Sequence, residues 1–218
     1  MKLYAHPFSS YTQKALIAFY ENAIPFDFLM LSPEHPDIQA QFERLWPIER
    51  FPLLVDGERA VMEASIIIEY LQVNHPGPVR LIPHDPQAAL DVRMLDRFFD
   101  NYLHAPLQRI VANALRPEID RDRYGVDQAR KLLDTAYAWL DQRMTNREWA
   151  ADDAFTLADC AAAPALFYAD WTHNIDASSF PNVIAYRQRL LARPSFARAV
   201  CEARPYRKLF PLGAPDRD

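Results

Sequence analysis

The stretch that decides the fold is residues 50–65, RFPLLVDGERAVMEAS. Residues 53–55 and 59–62 are short apolar runs typical of strands, and Asp56-Gly57 between them favours a tight hairpin turn. Proline is tolerated at the first position of a strand, and a cis Pro52 would turn the neighbouring backbone N–H and C=O outward. Outward-facing backbone groups pair with an extended peptide laid alongside them. The stretch therefore predicts an edge that binds a peptide backbone.

Directly after the hairpin, Glu63, Ala64 and Ser65 open an apolar helix. The first N–H groups of a helix have no partner within it, and its N-terminal end carries a partial positive charge. Such an end attracts a carboxylate. The sequence thus predicts an anion site beside the peptide-binding edge.

Hydrophobic patterning changes once along the chain. Over residues 1–75, short strands alternate with helical segments in the order βαβ then ββα, which is the order of an α/β thioredoxin-like domain. Residues 76–86 are rich in proline and predict a linker. Residues 87–218 have helical period, so we predict an all-α helical-bundle domain. Its predicted helices cover residues 88–116, with a bend near Pro106, then 127–144, a helix beginning at 156, 183–192 and 195–202.

Composition excludes several classes of protein. The chain has 218 residues and a net charge of −5, and the absence of a basic field argues against nucleic acid as a partner. No apolar run approaches the roughly 20 residues of a membrane span, and no signal peptide precedes the first strand, so we expect no membrane association and a cytoplasmic location. Four glycines form no phosphate-binding loop, and six histidines show no ligand spacing, so no metal site is predicted.

Three segments, taken in order, resemble the glutathione S-transferase family, and the resemblance covers residues 2–209. LWPIERFP (45–52) stands where the family has N-P-x-G-K-V-P, and MEASIIIEYL (62–71) where it has T-E-S-x-A-I-x-x-Y-L. TLAD (156–159) matches the S/T-x-A-D that opens a buried C-terminal helix. The resemblance implies a homodimeric transferase that conjugates glutathione to a small electrophilic, mainly apolar substrate.

The resemblance also implies which residues hold glutathione. Arg50 would reach the glycyl carboxylate, and the Phe51-Pro52 backbone would pair with the peptide. Glu63 would lie near the α-amino group. Ala64 stands where a serine hydroxyl usually meets the γ-glutamyl carboxylate, so its backbone N–H remains and Ser65 is the nearest hydroxyl.

The catalytic candidates are two serines in residues 8–11, FSSY, before the first helix. From the residues alone, a serine here is an N-cap. The resemblance gives Ser9, or else Ser10, a second role, in which it donates a hydrogen bond to the glutathione sulfur. A hydrogen bond to a charged group contributes about 1.5–3 kcal/mol, which lowers a thiol pKa by roughly one to two units. The turn lacks cysteine, which argues against thiol-disulfide chemistry.

The electrophile would bind between the two domains. Phe8 and Tyr11 would form one side of this site, and Tyr102 and Pro106 of the long helix the other. This wall carries no cation unless Arg109 turns inward, so it favours a neutral electrophile over a dicarboxylate. Two alternatives stay open. One is a glutathione-dependent isomerase, dehalogenase or peroxidase, and the other is a non-catalytic glutathione-binding or regulatory protein on this fold.

Overall fold

The N-terminal part of the chain is a mixed sheet flanked by helices, in a computed structural model that describes residues 1–151 and 154–218. The sheet has the strand order β2-β1-β3-β4, in which β1 and β2 are parallel and the other neighbours antiparallel. The predicted βαβ-ββα thioredoxin-like fold is confirmed. Its elements are β1 (Lys2–Ala5), α1 (Ser10–Glu21), β2 (Asp27–Met30), α2 (Pro36–Leu45), β3 (Leu53–Asp56), β4 (Arg59–Met62) and α3 (Ala64–Asn74).

Helices form the rest of the fold, as predicted. Residues 75–85 connect α3 to α4 through turns and bends. The elements that follow are α4 (Pro86–Phe98), a π-helical turn (Phe99–His104), α5 (Ala105–Ala114), a 3-10 turn (Glu118–Asp120), α6 (Arg123–Arg143), α7 (Leu157–Thr172), α8 (Pro181–Ala192), α9 (Pro194–Ala203) and a second 3-10 turn (Arg204–Leu209). Among the described residues, no helix is long and apolar enough to cross a membrane.

The hairpin between β3 and β4 differs from the prediction by one residue. Asp56 pairs with Arg59 as the last residue of β3, so the two-residue loop is Gly57 and Glu58. Gly57 has φ +60°, the conformation that a tight hairpin requires at its first loop position. Glycine adopts it without a steric penalty, so the turn forms around Gly57 rather than before it.

The long helix also differs from the prediction, because it is not a single α-helix bent at Pro106. The π-helical turn precedes the proline, and the Ala105 N–H donates to the Asp100 carbonyl in the wider pattern. Proline has no N–H to give to the preceding turn, and the π-helical turn absorbs that defect while the chain continues as α5.

Helix α7 lies at the centre of the molecule and packs against α1, α4 and α8. Its predicted N-terminus is confirmed, since Thr156 and Asp159 form a reciprocal capping box. Asp159 also accepts hydrogen bonds from the Ala150 N–H at 2.9 Å and the Tyr186 hydroxyl at 2.5 Å. Helix α1 touches both α3 and α7, so it joins the two parts of the fold beside the loop that carries Ser9.

Candidate functional site

A cavity of about 660 Å³ lies between the sheet-bearing part and the helical part. It brings together most of the predicted site residues and adds several from α4, α5, α7 and the C-terminal segment. Three predicted residues lie outside its lining: Ser65, Tyr102 and Pro106. The predicted residues that line it are Phe8, Ser9, Ser10, Tyr11, Arg50, Phe51, Pro52, Glu63 and Ala64.

The two serines occupy different environments at the start of α1. Ser9 is the N-cap, and its Oγ accepts a hydrogen bond from the Thr12 N–H at 3.3 Å. Its hydroxyl proton remains free to donate, and the side chain is only partly buried. Ser10 is 4% exposed, and its Oγ is buried without a hydrogen-bond partner in the described part of the chain. Ser9 therefore offers the more accessible hydroxyl.

The loop that carries Ser9 is fixed from behind by the helical part. The Tyr168 hydroxyl on α7 accepts from Gln13 Nε2 at 2.9 Å and donates to the Phe8 carbonyl at 2.9 Å. Gln13 is fully buried and also donates to the Pro7 carbonyl at 3.1 Å. This bridge spans both parts of the fold and holds the approach to Ser9 in one conformation.

The strand entry presents an unpaired peptide group to the cavity. The Phe51-Pro52 bond is cis, as the sequence predicts. The Phe51 N–H and C=O make no hydrogen bond to any residue that the structure describes, although the cavity reaches both residues. Backbone groups left open at a strand entry can pair with an added extended peptide, and these two border the cavity. Arg50, exposed, stands next to them.

Glu63 precedes α3 with an unusual backbone, at φ +67° and ψ 120°. A non-glycine residue in this region costs about 1–3 kcal/mol and persists only where its surroundings hold it. The Glu63 carbonyl accepts from the Ile67 N–H at 2.8 Å, which anchors it to the first turn. Its side chain is exposed and borders the cavity beside Ala64. The residue with the strained backbone therefore carries a carboxylate at the edge of the cavity.

A buried ionic cluster supports this end of the cavity. Lys14, with no solvent exposure, lies 2.6 Å from Asp96 Oδ1 and 2.8 Å from Asp100 Oδ1. Arg97 Nη2 lies 2.7 Å from an oxygen of each carboxylate and 2.6 Å from Ser65 Oγ. Ser65 in turn donates to Asp96 Oδ2 at 2.8 Å. The hydroxyl of Ser65 is therefore engaged inside the cluster rather than in the cavity.

Tyr11 lines the cavity beside this cluster and stacks on His104 with ring centroids 4.7 Å apart. Burial, with the charge of Asp100, raises the pKa of Tyr11 to about 12, so it stays protonated. Burial alone would raise the pKa of Asp100, but His104 and Lys14 outweigh it and lower the value to about 2. Burial also lowers the pKa of His104, which keeps this ring neutral.

The opposite side of the cavity is mainly apolar. Ala105, Gln108 and Val111 face inward from α5, and Leu115 extends this face. Tyr102 is 48% exposed and packs on Phe98 instead. Pro106 is buried outside the lining, and Arg109 is exposed on another face of α5. Among the described residues on this side, none is a lysine or arginine.

Sequence reasoning missed several lining residues. Leu209, Phe210 and Pro211 come from the C-terminal segment, where Phe210 packs edge-on against Trp171 at 5.5 Å. In the sequence these three apolar residues directly follow Arg207 and Lys208, and this change from basic to apolar residues was the available signal. Nothing in the sequence indicated that Arg97 lines the cavity, because only the fold brings α4 against the start of α3. In residues 1–151 and 154–218, no group of three His, Cys, Asp or Glu side chains is arranged to hold a metal.

Comparison with known proteins agrees with this architecture. Residues 3–79 match the family model for the glutathione S-transferase N-terminal domain, and residues 98–194 match that for the C-terminal domain. The chain belongs to the glutathione S-transferase family.

Individual relatives carry different names. A probable maleylacetoacetate isomerase of Vibrio cholerae is 29% identical over 173 residues, covering 76% of this chain and 78% of the relative. A stringent starvation protein A homolog of Coxiella burnetii is 25% identical over 205 residues, covering 93% and 92%. A Methylobacterium radiotolerans glutathione S-transferase, solved with glutathione sulfonate, superposes with a TM-score of 0.79 at 29% identity, covering 91% and 93%. An enzyme is therefore the expected class.

Proposed function

We propose that this protein is a glutathione transferase in which Ser9 stabilises the glutathione thiolate for attack on a small, neutral, mainly apolar electrophile. The observation that carries the proposal is one cavity that joins the unpaired Phe51 backbone, the Glu63 carboxylate and the Ser9 hydroxyl. Glutathione contains a peptide backbone, an α-amino group and a thiol, so each of these groups has a counterpart in the ligand.

The charges of the cavity fit the same ligand. Glutathione has a carboxylate at each end, and the cavity contains Arg50 at the strand entry and Arg97 near the start of α3. The Ser9 hydroxyl lines the same cavity and is free to donate. One charge-assisted hydrogen bond contributes about 1.5–3 kcal/mol, enough to lower the thiol pKa by roughly one to two units.

The choice of electrophile follows from the apolar side of the cavity. Val111, Leu115 and Phe210 remove an aliphatic or aromatic group from water, but they provide no hydrogen bond to a carboxylate. We therefore expect neutral aromatic halides, isothiocyanates or hydroperoxides to be better acceptors than dicarboxylates.

A glutathione-dependent isomerase is the second candidate, because of the likeness to the Vibrio cholerae isomerase. Isomerisation of a maleyl compound would begin with the same thiolate but would need cations for the substrate carboxylates. The two lining arginines, Arg50 and Arg97, both lie on the side assigned to glutathione. This arrangement favours conjugation over isomerisation.

Assembly and location remain expectations. We propose a symmetric homodimer in the cytoplasm, as the family resemblance implies. Light scattering at micromolar protein concentration measures the mass directly, and a monomer would contradict the dimer.

The test of function combines calorimetry with an ultraviolet thiolate signal. The chain should bind glutathione with millimolar or tighter affinity and show a bound thiolate at neutral pH. Binding without thiolate would indicate a non-catalytic module, and an absence of heat on saturation would refute the proposal. The values of kcat/KM for a neutral aromatic halide and for a maleyl dicarboxylate then distinguish the two enzyme candidates.

A further inference from the structure

The peptide group between Phe8 and Ser9 is held at both of its polar atoms. The Ser9 N–H donates to the His6 carbonyl at 3.0 Å, within the loop itself. The Phe8 carbonyl accepts from the Tyr168 hydroxyl at 2.9 Å, and Tyr168 belongs to α7 in the helical part of the fold. Because a peptide group is planar, holding both atoms fixes the plane from which the Ser9 backbone continues.

The chemistry of the partners sets the direction of each hydrogen bond in this bridge. Gln13 Nε2 lies 3.1 Å from the Pro7 carbonyl, which can only accept, so the amino group of the amide is the end that points there. The same nitrogen donates to the Tyr168 hydroxyl at 2.9 Å. That hydroxyl has one proton, and its other partner, the Phe8 carbonyl, can only accept it. The bridge therefore has one arrangement of protons, which runs from Gln13 through Tyr168 to Phe8.

The bridge is shielded from water, and its aromatic ring is held independently of the hydroxyl. Gln13 has no solvent exposure, and Tyr168 is 4% exposed. Burial raises the pKa of the Tyr168 phenol, so it keeps the proton that it donates at neutral pH. The ring packs edge-on against Phe8 with centroids 5.5 Å apart and against Trp171 at 5.6 Å. Removing the hydroxyl alone should therefore leave this packing in place.

We propose that Tyr168 is a positioning residue for Ser9, and that through the Phe8 carbonyl it determines how well the Ser9 hydroxyl donates to the glutathione sulfur. The inference rests on the proposed function, because it concerns the same hydroxyl and the same ligand. A hydrogen bond weakens steeply when its donor is misaligned, so a loosened peptide group before Ser9 weakens the contact with the sulfur. Stabilisation of the thiolate then depends on the helical part of the fold as well as on the sheet-bearing part.

The test is Tyr168→Phe in the full-length protein, which removes the hydroxyl and keeps the ring. The pKa of the bound glutathione thiol, followed by the ultraviolet thiolate signal, should rise by about 0.5–1 unit, a roughly three- to tenfold loss in the thiolate equilibrium. The pH profile of kcat should move to higher pH by the same amount. The KM for glutathione should change by less than about twofold, because the groups that hold the rest of the ligand are unchanged.

Tyr137→Phe is the matched control for this substitution. The Tyr137 hydroxyl also donates from a buried phenol to a backbone carbonyl, that of His173 at 3.1 Å, but the residue lies outside the cavity lining. The two variants should lose similar amounts of stability, and only Tyr168→Phe should change the thiol pKa. An equal pKa shift in both variants would be an effect of general loosening and would overturn the inference.

A double-variant cycle tests whether Tyr168 acts through Ser9. In the Ser9→Ala background, Tyr168→Phe should shift the thiol pKa by less than about 0.2 unit, since no hydroxyl is left to position. The same shift in both backgrounds would mean that the phenol acts on the sulfur by another route, and the positioning role would be wrong.

Gln13→Met is the second variant, for use if Tyr168→Phe does not fold. It removes the donor that directs the Tyr168 proton and keeps a side chain of similar length. The thiol pKa should rise by a smaller amount than in Tyr168→Phe, and an unchanged pKa would overturn the inference.

Failure of the proposed function has a different signature. A wild type that binds no glutathione, or binds it without a thiolate signal, refutes the proposed function, and this inference falls with it. A wild type that shows the thiolate, with the same thiol pKa in Tyr168→Phe, overturns only the positioning role.

Discussion

The two sides of the cavity are built in different ways. On the side of the sheet, the functional groups are polar and each is held by a second layer: Ser9 by the Tyr168 bridge, Glu63 by a constrained backbone, and Arg97 by buried carboxylates. On the side of α5 and the C-terminal segment, Leu115 is 70% exposed and the lining is mainly apolar. On this side, contact with the apolar lining is what binds the second substrate.

This difference follows from the forces involved. Hydrogen bonds and ion pairs depend on direction, so a polar site must keep its donors and acceptors in place. The hydrophobic effect is non-directional and depends on the area removed from water, so an apolar wall tolerates imprecise placement. A site of this kind should bind one constant co-substrate strictly and accept a range of second substrates.

The largest expected effect is a loss of stability on removing a charge from the buried ionic cluster beneath the polar side. Asp100→Asn removes one of two carboxylates that neutralise the fully buried Lys14. Breaking a buried pair by removing one partner costs about 3–5 kcal/mol. Chemical denaturation at pH 7 should show a loss of that order. Val111→Ala on the apolar side, where the residue is only partly buried, should cost about 1 kcal/mol or less.

The difference in the free energy of unfolding between the wild type and Asp100→Asn should depend on pH. The pKa of Asp100 is lowered to about 2 in the fold, so its contribution to stability is complete above about pH 5. It is lost as the pH falls toward 2, and Asp100→Asn lacks it at every pH. The stability difference between the two proteins should therefore be constant above about pH 5 and narrow between pH 4 and 2. A constant difference down to pH 2 would contradict this role.

The second prediction concerns the thiolate. Ser9→Ala should raise the pKa of bound glutathione thiol by roughly one to two units and leave glutathione affinity within a few-fold of wild type. The ultraviolet thiolate signal, followed against pH, measures this shift. Loss of the N-cap should also destabilise the protein by about 1 kcal/mol. Ser10→Ala is the matched control and should leave the thiol pKa unchanged. The reverse pattern would assign the role to Ser10.

Much of the polar side could be predicted from sequence because its signals are local. The cis Pro52, the strands around Gly57 and the helix start after Glu63 all lie within one short stretch. The capping pair Thr156 and Asp159 is equally local, since its members are three residues apart. Each device is complete within a single turn or hairpin, so the sequence contains it whole.

The apolar side could not be predicted in the same way. Tyr102 and Pro106 were predicted on the inner face of the long helix, but Ala105 and Gln108 line the cavity from a neighbouring face. Which face of a helix meets the cavity depends on how the helix packs, which is a tertiary property. The contribution of Phe210 depends on where the C-terminal segment returns to the cavity, which is a tertiary property. The role of Arg97 likewise requires the packing of α4 against the start of α3.

The smallest expected effect comes from adding a charge to the apolar side. Gln108→Arg places a cation where the described lining of α5 has none. An exposed ion pair contributes at most about 1 kcal/mol, so kcat/KM for a dicarboxylate acceptor should rise about fivefold or less. The value for a neutral aromatic halide should change by less than about twofold. Parallel kcat/KM measurements with the two acceptors provide the test.

Arg109→Ala is the control for that change, because Arg109 is the next residue on α5 but faces solvent. It should alter neither value of kcat/KM. A wild type that prefers the dicarboxylate, and loses the preference in Arg109→Ala, would show that this arginine turns into the cavity during turnover. The gain in Gln108→Arg should also disappear in about 1 M salt, where the screening length falls to about 3 Å. Activity toward the neutral acceptor should persist there, since burial of apolar surface does not depend on screened charges.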